Sequence, residues 1–254
     1  MSAPPRAAGK RRSKPSFGAR LRRFWVLGLL VLGAVGWGCG ALAALPAFHL
    51  QELTVTGTAR VARADVVAQA AIDPHANIWL LDPRAIERRI DALPDVLHAR
   101  VHRRPPGTVW IEIAERRPEA CVHDGAGHEL LVDAQLRVLS ELCTPEVSLG
   151  YDVRANLDGA GPGTFLREPE VLALQADARA LSVGGDTYRD FSHDEFGQLE
   201  ATMPGGIQIR FGDDDDLDRK RRLIAPILAQ LGPRLADVRA VDLRAPGTPV
   251  VDFR

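Results

Sequence analysis

Past residue 48 the sequence contains a single lysine, Lys220, and nowhere does it contain Ser-x-x-Lys or Gly-x-Ser-x-Gly. Those absences exclude the serine–lysine chemistry of penicillin-binding proteins and the nucleophile elbow of α/β-hydrolases. His-Glu-x-x-His is missing too: His98 and His102 are four apart, but they fall in a strand pattern and lack the glutamate, so they read as surface histidines. The glycine-rich "DGAGPG" at 158–163 has neither the full Gly-x-Gly-x-x-Gly series nor a Walker lysine, so it cradles no phosphate. The acidic "HDE" (193–195) and "DDDD" (213–216) lack the alternating ligands and closing glutamate of a calcium loop. The second run precedes a helical pattern, where carboxylates suit the N-terminal dipole. No catalytic, cofactor-binding or metal-ligating residue is assigned, no cofactor is expected, and the chain reads as a non-enzyme.

Acidic residues are absent from the first 23 positions, which carry Arg6, Lys10, Arg11, Arg12, Lys14, Arg20, Arg22 and Arg23. The rest of the chain holds 24 basic against 33 acidic residues, so a net charge of -1 conceals a basic tail on an acidic body. Charge of either sign is absent from residues 24–48, a run longer than the roughly 20 residues a helix needs to cross the hydrocarbon core. Cations crowd its N-terminal flank and none follows until Arg60. The positive-inside rule then places the tail in the cytosol and the bulk of the chain outside the cytoplasmic membrane. A cleavable signal peptide ending near "ALA" (41–43) is the competitor, but its apolar region should be only about 7–15 residues. Juxtamembrane cations fix topology and attract anionic lipid, so a nucleic-acid role is not expected. Gly36 and Gly40 have the GxxxG spacing that lets a second helix approach.

Cysteine is scarce: Cys39 lies within the apolar run, and Cys121 and Cys143 lie beyond it. An oxidising exterior permits a Cys121–Cys143 disulfide, and two separately buried thiols fit the sequence equally well.

After the apolar run, "FHLQELTVTG" alternates like a strand and stops at Gly57. "RADVVAQAAI" has helical spacing, and "DPRAIERRIDAL" predicts a helix with Asp82 as N-cap, Pro83 in the first position, and Ile86, Ile90 and Leu93 on one face. Residues 96–104 and 109–114 read as strands around "RPPGT", a tight reversal. The resulting strand-helix-helix-strand-strand unit buries one side of a small sheet under helices. Beyond Pro118 three short apolar runs precede a helix over 168–181. A hairpin turning at 204–206 follows, then a helix over 216–231 with Leu217, Ile224, Leu228 and Leu231 on one face, kinked or capped at Pro226, and two terminal strands around Pro246-Gly247.

The stretch "LPDVLHARVHRRPPGTVWIEIAERRPEA" (93–120) holds Arg100, Arg103, Arg104, Arg116 and Arg117. Strand parity sets Arg100 and Arg104 with His98 and His102 on a charged, solvated face, with Glu112 a cross-strand partner for one of them, and leaves Arg103 at the rim of the apolar face. Together with "LTVTG", "LLVDAQLRVL" and "AVDLRAP", this stretch resembles the diagnostic segments of the FtsQ/DivIB family of cell-division proteins. Two positions depart from the pattern: Asp95 replaces an aromatic, and Leu136 stands where a glycine commonly follows.

That resemblance implies an α+β protein: a basic cytoplasmic tail (1–23), one transmembrane helix (24–47), a POTRA domain of β-α-α-β-β order (48–117) and a mixed, strand-rich β-domain with two helices (118–254). It implies a divisome scaffold enriched at the septum, binding FtsB-like and FtsL-like bitopic partners and other divisome membrane proteins, and helping control septal peptidoglycan synthesis. In the family the partner adds to the last strands by β-augmentation, which maps onto positions 241–244 and 249–253 here. The residues implied are Val241, Asp242, Leu243, Arg244, Val250, Val251 and Phe253. The alternatives are a POTRA-containing assembly chaperone for envelope proteins, which normally carries several POTRA units or a barrel, and a membrane-anchored cell-wall hydrolase.

Overall fold

The computed structural model describes residues 17–43, 45–182 and 187–254, so most of the expected basic tail lies outside the described residues. The chain forms two compact units: the chain through Thr54 with Asp73–Asp82 and His102–Trp110, and a larger unit of Val55–Ile72, Pro83–Val101 and Ile111–Arg254. Helix α1 (Phe17–Ala43) covers most of the uncharged run. Among the described residues no helix is long and apolar enough to cross a membrane.

The β-α-α-β-β order is present as β1 (Glu52–Thr56), α2 (Arg63–Ala70), α3 (Pro83–Ile90), β2 (Val96–Arg104) and β3 (Thr108–Glu115), with sheet order β1-β3-β2. Pro83 opens α3 where its missing N–H costs nothing, Ile86 and Ile90 are buried, and Arg88 and Arg89 complete the last turn, where cations suit the dipole. Arg89 also donates to the Ala70 carbonyl, tying α3 to the end of α2. In β2, Ala99 and Val101 are buried while His98, Arg100 and His102 are exposed, as alternation requires, and Val96 at the start of the strand is buried out of that phase. Two α3-side carboxylates reach β2: Asp91 accepts from the Ala99 N–H at 2.7 Å and Glu87 from the Val101 N–H at 2.9 Å. Two N–H groups on the β2 edge of this small sheet are thereby satisfied from within the chain.

The remaining strands are β4 (Pro118–Asp124), β5 (Glu129–Asp133), β6 (Val138–Ser140), β7 (Gly150–Val153), β8 (Asp190–His193), β9 (Leu199–Met203), β10 (Ile207–Gly212), β11 (Val238–Asp242) and β12 (Val250–Phe253). They form one sheet in the order β12-β11-β10-β9-β8-β7-β4-β5-β6. The pairs β4/β7, β7/β8 and β10/β11 are parallel and the others antiparallel. Two helices supply the cover, α4 (Pro169–Ser182) and α5 (Leu217–Leu231). Val171, Leu174, Ala178 and Leu181 of α4 are buried at helical spacing, and α5 buries Ile224 with Leu217, Leu228 and Leu231 packed on the core. α5 continues through Pro226 instead of ending there. Asp216 holds its N-cap position without a side-chain cap bond, while buried Lys220 donates to the Asp213 carbonyl at 2.8 Å.

Candidate functional site

The sequence-predicted binding segment closes one end of the large sheet. β12 pairs antiparallel with β11, Val241 opposite Val251 and Asp242 opposite Val250. Arg254 donates its backbone N–H inward to the Asp237 carbonyl at 2.7 Å. With a two-residue period, Asp252 and Val250 also turn their backbone groups toward β11, which leaves those of Val251 and Phe253 facing outward. Pro249, just before the strand, has no N–H to offer. Val250 is 55% exposed and Phe253 40%, whereas Val251 packs partly into the core. The Arg234 guanidinium stands 4.4 Å from the Phe253 ring centroid and steadies it.

The other expected residues play a supporting part. β11 lies between β10 and β12, so both its edges are taken, and Val241 and Leu243 are fully buried. Asp242 and Arg244 are joined in a forked ion pair, with Arg244 Nη2 2.6 Å from Asp242 Oδ2 and Nε 3.1 Å from Oδ1. That pairing holds the Asp242 carboxyl below its ordinary range and the Arg244 guanidinium above its own. Gly212, at φ +79°, lies under this arginine: a Cβ there would stand 2.9 Å from Arg244 Cγ. Ala240, directly opposite Asp252, is small enough for Arg210 to reach across β11 to Asp252 at 3.5 Å, with Glu200 3.4 Å from its other side. Of the seven predicted positions, only those on β12 combine exposure with a strand edge.

The opposite end of the sheet is closed by the chain itself. Val138 donates to the Thr164 carbonyl, Gly163 to Val138 and Leu166 to Leu136, so residues 163–166 lie along β6. Behind this end sits a polar cluster that sequence patterning does not single out. Arg116 donates to Asp133, which is 3% exposed, and to the Val96 carbonyl at 3.0 Å. Asp133 also accepts the N–H groups of Gln135 and Arg137, both at 2.9 Å, bending the β5–β6 turn so that buried Leu136 adopts φ +60°. A glycine would carry that conformation without strain, which accounts for the glycine common at this position in the family pattern, whereas this chain holds the same conformation with a leucine. Arg137 runs back to the Ala92 and Leu93 carbonyls at 3.2 and 3.3 Å, and burial lowers its pKa from the ordinary value. The visible signal was the pair Arg116 and Asp133, but nothing in their spacing joins residues 17 apart.

Cys121 on β4 and Cys143 form a disulfide with Cα atoms 5.8 Å apart. His123 Nε2 lies 3.3 Å from Cys121 Sγ, and the donor atoms of these three residues gather within 4.8 Å. With the sulfurs bonded to each other they offer no thiolate to a metal.

A helix-backed β-α-α-β-β unit followed by a larger mixed sheet is the architecture of a POTRA-bearing protein. Residues 48–116 match the POTRA domain, FtsQ-type. Three proteins named cell division protein FtsQ are similar over most of their length. The one from Rhodothermus marinus is 30% identical, covering 87% of this chain and 84% of that protein. Those from Syntrophotalea carbinolica and Myxococcus fulvus are each 29% identical, covering 94% and 88% of this chain and 91% and 82% of the relatives. The chain belongs to the FtsQ family of cell-division proteins.

Proposed function

We propose that this protein is a non-enzymatic divisome scaffold anchored in the cytoplasmic membrane by one helix over residues 24–47. Its N-terminus is cytosolic, and its POTRA domain (48–117) and β-domain (118–254) are extracytoplasmic. The uncharged run and the basic flank support the anchor. At the septum the β-domain recruits an FtsB-like bitopic protein together with an FtsL-like one, and so helps control septal peptidoglycan synthesis. The observation that carries this reading is the edge of β12, where the outward backbone of Val251 and Phe253 is flanked by exposed Val250 and Phe253 side chains. An extended partner segment that adds a strand there gains ladder hydrogen bonds for affinity and alternate side-chain contacts for selectivity.

The test is Val251→Pro in the full-length chain, which removes an outward N–H while leaving the inward bonds to β11. Loss of FtsB-like and FtsL-like proteins from co-purification, with the thermal transition retained, is expected. Unchanged co-purification would sink the reading. A fluorescent fusion to the cytosolic N-terminus is expected to concentrate at midcell, and a diffuse membrane signal in dividing cells would count against a septal role.

A further inference from the structure

The residues that follow α1 are stitched on both sides. Leu50 donates to the Ala76 carbonyl at 2.9 Å, and Ile78 to the Phe48 carbonyl at 2.9 Å. From the other side, the N–H groups of Gln51 and Glu52 both reach the Gly107 carbonyl, at 2.8 and 3.3 Å. Gly107 is buried at the β2–β3 turn, and a Cβ on it would meet the His49 carbonyl oxygen at 2.6 Å, so the hairpin tip lies directly on this segment. α1 ends at Ala43, and a chain spans at most about 3.6 Å per residue, which puts Phe48 within about 18 Å of the helix end. The Ile78 bond to Phe48 therefore holds the 73–82 loop near that end as well.

At this place the chain exposes groups that water does not favour. Leu80 is 84% exposed and Trp79 45%, directly after buried Ile78. The Arg103 guanidinium lies 5.7 Å from the Trp79 ring centroid and donates to the Trp79 carbonyl at 3.1 Å. Arg104 lies 4.0 Å over the Trp110 ring. Each arginine is thus held against an indole with its charge at the protein surface. Indoles settle at the headgroup level of a bilayer, guanidinium groups match phosphate, and an adjacent leucine can enter the acyl boundary.

We propose that this end of the POTRA unit, through Trp79, Leu80, Arg103 and Arg104, is seated in the phospholipid headgroup layer on the outer side of the membrane. The inference rests on the reading of residues 24–47 as a membrane span, because the short tether is what brings the loop to the bilayer. Asp73 and Asp82 bound the same loop, so the surface carries little net positive charge. Insertion of Leu80 and Trp79, with phosphate as the partner of the arginines, drives the contact, and zwitterionic and anionic phospholipids serve alike.

The full chain carries four tryptophans, Trp25, Trp37, Trp79 and Trp110, which supply the reporters. Two variants keep one each, Trp79 alone or Trp37 alone, with the others changed to Phe. They are reconstituted into vesicles of phosphatidylethanolamine and phosphatidylglycerol with bromines placed near the headgroup or deep in the acyl chain. Headgroup-proximal bromines are expected to quench Trp79, and Leu80→Asp to reduce that quenching several-fold. Trp37 quenched while Trp79 is untouched would overturn this proposal and leave the span standing. Both untouched would overturn the span and this proposal with it. Trp79 quenching that Leu80→Asp leaves unchanged would also overturn it, since nearness alone, without insertion, would then explain the signal.

Discussion

The two ends of the nine-stranded sheet are built to opposite specifications. At β6 the chain spends residues 163–166 on covering the edge, and the β5–β6 turn behind it is braced by Asp133 between Arg116 and Arg137. At β12 Val250 and Phe253 stay exposed, and among the described residues no strand pairs with its outer side. The small sheet follows the β6 rule, since Asp91 and Glu87 satisfy the N–H groups of β2. An unpaired strand edge invites aggregation, and native proteins blunt it wherever it has no use. The cover on β6 and the carboxylates on β2 contrast with the exposed side chains of β12.

Changes at the braced end should have the largest effect on stability. Arg116→Ala leaves the Asp133 carboxylate buried without its countercharge, and a loss of about 3–5 kcal/mol is expected from a denaturant titration. The lower part of that range applies, since Asp133 keeps two backbone donors. Gly163→Val attacks the cover itself. Its φ of +92° admits a side chain only with strain, about 1–2 kcal/mol. Lifting residues 163–166 from β6 should create a second open edge, so concentration-dependent self-association in sedimentation is expected as well. A variant that loses stability but stays monomeric would show that residues 163–166 do not serve to blunt the edge. Val251→Pro, at the end already open, should cost only about 1 kcal/mol by thermal melting while removing partner binding.

The smallest effect concerns the β4–β5 turn. Buried Asp124 accepts from the backbone of Ala126, His128 and Leu157, and its Oδ2 lies 2.7 Å from His128 Nδ1. The hydrogen bond between the two side chains raises the His128 pKa and holds Asp124 well below the usual carboxylate range. Stability from His128 is fully present below its unfolded pKa of about 6.5 and is lost as pH rises through the raised folded value. That from Asp124 is present above about 3.9 and is lost only as pH falls through its depressed value. The melting temperature should therefore decline gently as pH rises above about 6.5 and through the raised His128 value, and His128→Asn should flatten that slope. An identical slope in the variant would assign the pH dependence elsewhere.

Local patterning made much of this legible. Pro83 with Ile86 and Ile90, the alternation of Ala99 and Val101 with His98, Arg100 and His102, and the turn at 204–206 each announce their element, because the period of apolar residues depends only on backbone geometry. β7 and β8 escaped, since four residues are too few to show a period and both are held by parallel neighbours distant in sequence. The expected partner segment contains the terminal strand β12, but sequence did not separate Val241, buried in the interior strand β11, and Leu243, buried just after it, from Val250 and Phe253. Arg103, placed at a rim by parity, turned out to lie against Trp79, a residue 24 positions away.

What the sequence by itself determined is the order of elements, the uncharged N-terminal run and the family, all of which rest on neighbours along the chain. Which strand became the open edge, which carboxylate took Arg116, and which loop came to lie beside Phe48 were decided only by the tertiary structure. Strand order and ion pairing join residues far apart in sequence, and their energies depend on burial and geometry that no local pattern encodes.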